Sequence, residues 1–372
     1  MRELVAVEAV GMVGGDTFTD VLRRTWDEGD ALLPLDPRLP RPALEPLLGR
    51  LAPTRIVTAD GTTTRLPGGR PIEQGDAVVV ATSGSTGEPK GVVLTHAAVT
   101  ASAHAVHRGL GLDPDRHRWL SCLPLAHVAG LAVVMRGLVT GTPVVVHGRF
   151  EADAVEAAAR AGATHASLVP TALGRIDASL FERIVVGGGA PPSDLPPNVV
   201  ASYAMTETGS TVAYDGVPLD GVELRIVDGE IHVRGPMLLR SYRDGTDPKD
   251  GDGWLPTGDA GELTADGVLR VHGRAGDVIV TGGEKVWPVA VEEALRTAPG
   301  VADVAVAGAS DPEWGHRVVA HVVPVDPTAP PGLEALRDHV RAILPAYAAP
   351  RELVLHDQLP RTALGKVRRG EL

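Results

Sequence analysis

The 372-residue chain has a single cysteine, Cys122, so it cannot form an internal disulfide bond. This scarcity excludes the disulfide-framework class of small secreted proteins and is typical of a reducing compartment. The first residues include Glu3 and Glu8 and lack the basic stretch and apolar core of a secretion signal. We therefore expect a cytoplasmic protein.

Long apolar runs and excess positive charge are also missing. The longest apolar run near the middle, residues 128–135, ends at Arg136 and is too short to span a bilayer, which takes about 20 residues. The formal net charge is −12 at pH 7. That charge opposes nucleic acid and anionic membrane surfaces as main partners. The oligomeric state is not indicated.

Lysine is scarce, since only four of the 35 basic residues are lysines. A lysine kept against such a bias suggests a need for a compact ammonium group instead of a planar guanidinium. Lys90, Lys285 and Lys366 lie in Gly-containing motifs, whereas Lys249 lies in a Pro/Asp/Gly loop and looks incidental.

The composition that is present, 44% hydrophobic and 22% charged, is that of a globular protein of two or three domains. Helix and strand patterns alternate to about residue 186, which predicts an α/β fold with parallel sheets in a large N-terminal domain, 1–273. Asp-Gly turns predict a small antiparallel β subdomain at about 210–273. A hinge at 274–277 and a small mobile α+β C-terminal domain, 278–372, are predicted to follow.

Two local predictions precede these. Residues 59–75, rich in Gly, Thr and Pro, should form a surface loop. Thr95 should cap a helix that runs to about Leu110.

Residues 82–91, Thr-Ser-Gly-Ser-Thr-Gly-Glu-Pro-Lys-Gly, lie between two apolar β-branched stretches. Glycines let backbone N–H groups crowd around an anion, hydroxyls add donors and Lys90 adds charge. The run differs from the common P-loop, in which Gly-Lys precedes Ser or Thr and opens a helix. Taken alone, this run is more typical of a flexible hairpin. Motifs farther along the chain favour polyphosphate binding instead.

Two further segments offer surfaces for a nucleotide. Residues 187–191, Gly-Gly-Gly-Ala-Pro, follow a strand and let a flat ring lie on the backbone, although an ordinary β–α turn explains them as well. Tyr203 offers a stacking face, Thr206 a hydroxyl donor and Glu207 a carboxylate for Mg²⁺. The ordinary alternative for these three is a capped helix start.

Two more signals lie near the end of the chain. Asp259 can accept two hydrogen bonds from a ribose diol, although turn aspartates are common. Lys366 stands on a Gly-flanked loop of the small domain, where it could be delivered to a site and withdrawn. A solvated basic tail is the alternative.

Seven motifs, taken together and in their order along the chain, resemble a known superfamily, although no single motif is sufficient. They run from about Leu32 to the C-terminus and read TSGSTGEPKG, PLAHVAGL, GGGAPP, YAMTET, WLPTGD, GRAGDVIVTGGEKVWP and LPRTALGKVRR. Together they resemble the adenylate-forming superfamily of acyl-CoA synthetases, peptide-synthetase adenylation domains and luciferases. The resemblance implies that a carboxylate attacks the α-phosphate of ATP, and that a thiol, usually coenzyme A, then displaces AMP from the acyl-adenylate.

The resemblance also implies roles for particular residues. Thr206 would bind the α-phosphate, Glu207 would hold Mg²⁺, and Asp259 and Arg274 would bind ribose. Lys366 would bridge the attacking carboxylate and the α-phosphate. The full set of implied ATP and AMP contacts is Thr82, Ser83, Gly84, Ser85, Thr86, Gly87, Lys90, Gly188, Gly189, Ala190, Tyr203, Thr206, Asp259 and Arg274.

For the acid and coenzyme A, the resemblance implies two further sets. The acid would meet His127, Gly130, Leu131, Arg136 and Gly188. Coenzyme A would meet Gly282, Gly283, Glu284 and Lys285 after the small domain rotates.

The sequence departs from the superfamily pattern at two positions. Gly276 stands at the hinge where many relatives carry Asp or Lys, and glycine should ease the backbone change. Ala204 stands where glycine is usual, and this small substitution should be tolerated.

The short chain, its Lys-poor composition and residues 124–136 and 212–221 resemble one branch, the o-succinylbenzoate–CoA ligases of menaquinone biosynthesis. That acid has two carboxylates, and His127 and Arg136 are candidates for recognising the one that does not react. An ordinary ion pair is as good an explanation for Arg136. Three alternatives stay open: a ligase for another aryl or acyl acid, an adenylation module that loads a carrier, and a non-catalytic nucleotide-binding relative.

Overall fold

The structure is a computed structural model that describes residues 2–13, 15–83, 89–192, 194–361 and 367–372. The described residues form two compact units. The first is Met1–Leu224 with Val233–Leu255, and the second is Arg225–His232 with Pro256–Leu372.

The strands of the described residues, in chain order, are numbered β1 to β25. They are β1 (Leu4–Glu8), β2 (Met12–Val13), β3 (Asp16–Thr17), β4 (Ala31–Leu35), β5 (Arg55–Val57), β6 (Thr63–Arg65), β7 (Asp76–Ser83), β8 (Pro89–Thr95), β9 (Trp119–Ser121), β10 (Val144–Val146), β11 (His165–Leu168), β12 (Arg183–Val186), β13 (Val199–Ala204), β14 (Thr211–Tyr214), β15 (Val217–Pro218), β16 (Glu223–Val227), β17 (Glu230–Arg234), β18 (Ser241–Tyr242), β19 (Leu255–Leu263), β20 (Leu269–Arg274), β21 (Ile279–Thr281), β22 (Glu284–Val286), β23 (Val301–Asp311), β24 (Gly315–Pro324) and β25 (Glu352–Leu355).

The α-helices of the described residues are α1 (Phe18–Asp27), α2 (Arg41–Leu51), α3 (His96–Gly109), α4 (Val128–Thr140), α5 (Ala152–Arg160), α6 (Pro170–Leu173), α7 (Pro288–Arg296) and α8 (Leu333–Arg341). The Thr95 side chain accepts a hydrogen bond from the Ala98 backbone N–H at 3.1 Å, so the predicted cap of α3 is confirmed.

The first sheet has seven strands in the order β18-β8-β7-β4-β1-β5-β6. Strands β1, β4, β5 and β7 run parallel where they pair, and β8 returns antiparallel to β7. All five residues of β4 are buried, as expected for a strand covered on both faces. Residues 59–75 are not loop throughout, because β6 pairs antiparallel with β5. That prediction was wrong in part.

The second sheet also has seven strands, in the order β10-β9-β11-β12-β13-β14-β15. The first five are parallel, and β14 and β15 add antiparallel strands at one side. The carboxyl ends of parallel strands meet at one edge, which is where open α/β sheets bind ligands.

Three smaller sheets are also described, the first of which is the antiparallel pair β2–β3. The other two have four and five strands. One has the order β16-β17-β19-β20 and contains an antiparallel β19–β20 pair. The other contains β22, β21, β24, β23 and β25, and α7 and α8 pack with it through an apolar core that includes Val291, Leu295 and Leu336. The predicted α/β class is confirmed. The predicted domain limits and the hinge at 274–277 stay predictions.

Candidate functional site

Lys90 lies at the base of the predicted phosphate loop. It pairs with Thr82 across the antiparallel β7–β8 ladder, and Ser83 ends β7 opposite Pro89. The predicted loop contacts of Gly84, Ser85, Thr86 and Gly87 lie outside the described residues. The hairpin therefore places a hydroxyl and an ammonium group at the two stems of the loop.

Tyr242 contacts two of the predicted site residues, although sequence reasoning did not select it. The Lys90 Nζ atom lies 4.8 Å from the centroid of the Tyr242 ring, and the Tyr242 hydroxyl donates to Glu207 Oε1 at 3.1 Å. The scarcity of tyrosine could have pointed to Tyr242, since the chain has only four tyrosines.

Glu207 lies in a short 3₁₀ helix, Thr206–Thr208, that also carries the predicted α-phosphate ligand Thr206. Its backbone carbonyl accepts from the Leu239 N–H at 2.7 Å. That hydrogen bond anchors the backbone of Glu207. The carboxylate oxygens of its side chain are of the ligand type that Mg²⁺ prefers. No group of three or more His, Cys, Asp or Glu within the described ranges is arranged to hold a metal. A role of Glu207 as a Mg²⁺ ligand stays a prediction.

The predicted adenine contacts follow two neighbouring parallel strands. Residues 187–190 come directly after β12, and Tyr203 lies near the end of β13. The register pairs Val186 with Ala201, so both segments leave the sheet at the same edge. Gly188 has φ 80°, a conformation that side chains rarely adopt. The sheet thus brings a glycine-rich backbone and an aromatic ring to one edge.

His127 lies at the N-cap of α4, with its Nε2 atom buried and without a hydrogen-bond partner among the described residues. Burial lowers the pKa of His127 below its usual 6.5, against an opposing effect of Asp36. A neutral ring with a free nitrogen can donate to or accept from a bound acid without adding charge.

Gly130 and Leu131, both predicted to meet the acid, are buried in the first turn of α4. A Cβ atom on Gly130 would lie 2.5 Å from the Leu123 carbonyl oxygen and 2.6 Å from that of Pro124. Packing therefore requires glycine at this position, and contact with an acid stays a prediction for both residues.

Arg136 is 4% exposed in the middle of the first unit. Its Nη2 atom donates to Ser210 Oγ at 3.1 Å, and its guanidinium carbon lies 4.6 Å from the centroid of the Trp119 ring. The Nε and Nη1 atoms are buried and have no hydrogen-bond partner in the part of the chain that the structure describes. Burial lowers the pKa of Arg136 from its usual value. The ordinary ion pair considered from sequence is not seen for Arg136 among the described residues.

In the second unit, the two predicted ribose ligands lie side by side. Asp259 and Arg274 are register partners on β19 and β20, and Arg274 Nε lies 3.2 Å from Asp259 Oδ1. Arg274 Nη1 also donates to the Thr257 carbonyl at 3.0 Å. The ladder therefore presents a carboxylate and a guanidinium together.

The β21–β22 hairpin carries the predicted coenzyme A residues. Gly282 and Gly283 form its turn with φ 59° and 87°, values that favour glycine, and Glu284 and Lys285 follow on β22 with exposed side chains. Trp314 covers this turn, because a Cβ atom on Gly282 would lie 2.6 Å from Trp314 Cε3.

Gly276, the predicted hinge residue, lies in a 3₁₀ helix, Ala275–Asp277, with open space where a Cβ atom would point. Nothing in this conformation requires glycine at that position. Lys366, the predicted adenylation lysine, lies outside the described residues.

Lys249 is not incidental. Its Nζ atom donates to the carbonyls of Leu239 and Arg240 at 2.8 and 2.9 Å and lies 2.7 Å from Asp247 Oδ1. A compact ammonium group with three donors suits this structural role.

The chain matches the AMP-binding enzyme family over residues 69–243 and the AMP-binding enzyme C-terminal domain over residues 290–366. It is 41% identical to a probable 2-succinylbenzoate–CoA ligase of Mycobacterium tuberculosis, over 89% of this chain and 93% of that protein. It is 35% identical to the 2-succinylbenzoate–CoA ligase of Bacillus licheniformis, over 80% of this chain and 69% of that protein.

One solved structure, the o-succinylbenzoate CoA synthetase of Bacillus subtilis in complex with its acyl-adenylate intermediate, is similar over 100% of this chain and 88% of that chain. Its TM-score is 0.78 and its sequence identity 28%. The chain belongs to the AMP-binding, adenylate-forming enzyme family. Within that family it is an AMP-forming acid–CoA ligase.

The described helices are all too short or too polar to cross a membrane.

Proposed function

We propose that this ligase joins o-succinylbenzoate to coenzyme A, a step of menaquinone biosynthesis. ATP would first convert the acid to o-succinylbenzoyl-adenylate with release of pyrophosphate. The thiol of coenzyme A would then displace AMP. The names of the two relatives and the bound intermediate of the solved synthetase support this choice of acid.

The observation that carries the proposal is the buried Arg136. A guanidinium taken out of water without an anionic partner costs several kcal/mol. Ser210 and the Trp119 ring compensate only in part, because one is a neutral acceptor and the other a quadrupole. A substrate with a second carboxylate would supply the missing negative charge. We therefore assign the ring carboxylate of o-succinylbenzoate to Arg136 and the succinyl carboxylate to the reaction.

The nucleotide would bind at the edge where β12 and β13 end. Tyr203 and residues 188–190 would enclose adenine, while Thr82, Lys90 and the adjoining loop would hold the β- and γ-phosphates. Glu207 would hold Mg²⁺, which neutralises phosphate charge. Asp259 and Arg274 would bind the ribose.

Adenylation brings two anions together, the succinyl carboxylate and the α-phosphate. Lys366 would bridge both and stabilise the charge that develops between them, with Thr206 donating to the α-phosphate. Neutral His127 would lie between the acid and the adenylate without competing for either charge. After pyrophosphate leaves, rotation about Gly276 would replace Lys366 by the hairpin that carries Gly282, over the path of coenzyme A.

We place the reaction in the cytoplasm, where ATP and coenzyme A are available. We also keep another aryl or acyl acid, and a carrier protein as the thiol, as outcomes of the test below.

The test is pyrophosphate release from ATP and Mg²⁺ with o-succinylbenzoate, with and without coenzyme A, beside a panel of benzoates and fatty acids. We expect strong turnover that depends on coenzyme A with o-succinylbenzoate only. Turnover with a different acid would refute the choice of substrate and leave the class of enzyme intact. Binding of ATP without pyrophosphate release for any acid would identify a non-catalytic relative.

A further inference from the structure

Tyr242 joins two side chains of the proposed nucleotide site. Its hydroxyl donates to Glu207 Oε1 at 3.1 Å, and its ring faces the Lys90 ammonium with 4.8 Å between Nζ and the ring centroid. The residue is half-buried in β18, and it comes 35 residues after Glu207 along the chain. One aromatic side chain thus contacts both the proposed Mg²⁺ ligand and the proposed phosphate ligand.

The local fold explains why Tyr242 stands there. Strand β18 pairs antiparallel with β8, and Tyr242 is opposite Val92. Lys90, two residues before Val92, is therefore the diagonal neighbour of Tyr242, within reach of a long side chain. The Arg243 N–H donates to the Gly91 carbonyl at 2.7 Å and extends the pairing past Tyr242.

Gly91 makes this approach possible. A Cβ atom on Gly91 would lie 2.9 Å from Arg243 Cβ and 2.6 Å from Leu51 Cδ2. The close contact between β8 and β18 holds the Tyr242 backbone beside the stem of the phosphate loop, where the Tyr242 ring lies within 4.8 Å of Lys90 Nζ.

The hydrogen bond between Tyr242 and Glu207 has a defined direction. The phenol O–H is the donor, and the Glu207 carboxylate oxygen Oε1 is the acceptor. This hydrogen bond restrains the Glu207 carboxylate, and we assign Oε2 to the cation.

We propose that Tyr242 is a positioning residue for the adenylation step: its hydroxyl orients Glu207 toward the divalent cation, and its ring seats Lys90 toward the phosphates. This inference rests on the proposed function, which makes Glu207 and Lys90 nucleotide ligands. It adds a residue that couples the cation site to the phosphate site.

Two substitutions of Tyr242 separate the effect of its hydrogen bond from the effect of its ring. Tyr242→Phe keeps the ring beneath Lys90 and removes the donor to Glu207, whereas Tyr242→Leu removes both. Loss of a hydrogen-bond partner behind a metal ligand costs roughly 10- to 100-fold in metal affinity. Loss of a partly exposed cation–π contact costs about threefold.

The experiment is calorimetric titration of ATP into the full-length enzyme at a series of free Mg²⁺ concentrations, with no acid and no coenzyme A present. For Tyr242→Phe we expect the Mg²⁺ concentration at half-maximal ATP affinity to rise about tenfold, with unchanged affinity at saturating Mg²⁺. For Tyr242→Leu we expect the same shift and an additional loss of about threefold at saturating Mg²⁺. Tyr347→Phe, in the second unit, is the matched exchange and should titrate like the wild type.

A double-mutant cycle shows whether Tyr242 acts through Glu207. If it does, Tyr242→Phe adds little to the Mg²⁺ shift already caused by Glu207→Gln. Full additivity, an unchanged Mg²⁺ midpoint in Tyr242→Phe, or a parallel loss of ATP affinity at every Mg²⁺ concentration with a lower Tm would each overturn the positioning role. The titration contains no acid, so a failure of o-succinylbenzoate as substrate would appear only in the turnover assay.

Discussion

The guanidinium of Arg136 stacks on the indole of Trp119, 4.6 Å from the ring centroid, in the interior of the first unit. Arg136 comes from α4 and Trp119 from β9, so the contact joins a helix to the parallel sheet that it covers. The aromatic face holds the cation in place but does not neutralise it. Among the described residues, two of the Arg136 guanidinium nitrogens have no hydrogen-bond partner, which is why we propose a bound carboxylate there.

His165, which lies against Trp119 on the neighbouring strand, makes stability depend on pH. Burial lowers the pKa of His165 from 6.5 to about 4, with smaller contributions from His117, Arg183 and Arg136. The unfolded chain therefore binds a proton before the folded chain does. The contribution of His165 to stability is complete above pH 6.5 and is lost as the pH falls toward 4, by about 3 kcal/mol.

Urea unfolding at pH 7.5, 6, 5 and 4 checks this. As the pH is lowered, the free energy of unfolding should decrease less steeply in His165→Gln than in the wild type. An equal fall in both proteins would show that other groups dominate.

Lys366→Ala separates the two half-reactions. Because Lys366 is assigned only to the meeting of carboxylate and α-phosphate, adenylation should fall at least about 100-fold. Thioester formation from synthetic acyl-adenylate and coenzyme A should remain within a few-fold of the wild type. The measurement is single-turnover product formation for each half-reaction, and equal losses in both would refute the assignment.

Gly276→Pro tests the proposed hinge through the second half-reaction, the transfer to coenzyme A. Proline fixes φ and should hinder the rotation that follows adenylation, so pyrophosphate release in a single turnover should persist while transfer to coenzyme A slows about tenfold or more. Gly276→Ala is the matched control, because a Cβ atom at this position meets open space. If the proline variant forms the thioester at the wild-type rate in steady state, Gly276 is not the hinge.

Gly282→Ala tests the hairpin assigned to coenzyme A. Its Cβ atom would collide with the Trp314 ring, and its φ of 59° adds strain for a residue with a side chain. We expect slower thioester formation with adenylation retained, and a lower Tm. Gly283→Ala has a similar strain without the collision, so it should lose less in both measurements. A larger loss in Gly283→Ala would contradict the role given to Trp314.

Local sequence patterns were sufficient for elements whose signal is local. Residues 183–186 read as a strand from β-branched residues alone, and β12 occupies those residues. Strand β25 was not predicted, because it is defined by parallel pairing with β24, from which it is separated by α8. Strand β6 was missed because its threonines and arginine are all exposed and look like loop residues.

The candidate site likewise contains residues with a local sequence signal and residues that only the tertiary structure brings together. Glu207 and Lys90 could be chosen as candidates because each lies within a compact motif. Tyr242 could not be chosen, since its contacts depend on the pairing of β18 with β8, about 150 residues apart in sequence. The contact of Trp314 with Gly282 is likewise a tertiary contact, visible only once β21 and β24 are neighbours.

The most direct measurement compares kcat/KM for o-succinylbenzoate with that for 3-benzoylpropionate, the same acid without its ring carboxylate, in the wild type and in Arg136→Met. The wild type should prefer o-succinylbenzoate by about 100-fold, because a buried charge left unpaired is penalised strongly. Arg136→Met should lose that preference while keeping its Tm, since replacing an uncompensated buried cation by an apolar side chain is neutral or stabilising. A wild type that uses both acids equally well, or an Arg136→Met variant that keeps the full preference, would contradict the assignment of Arg136 and of the acid.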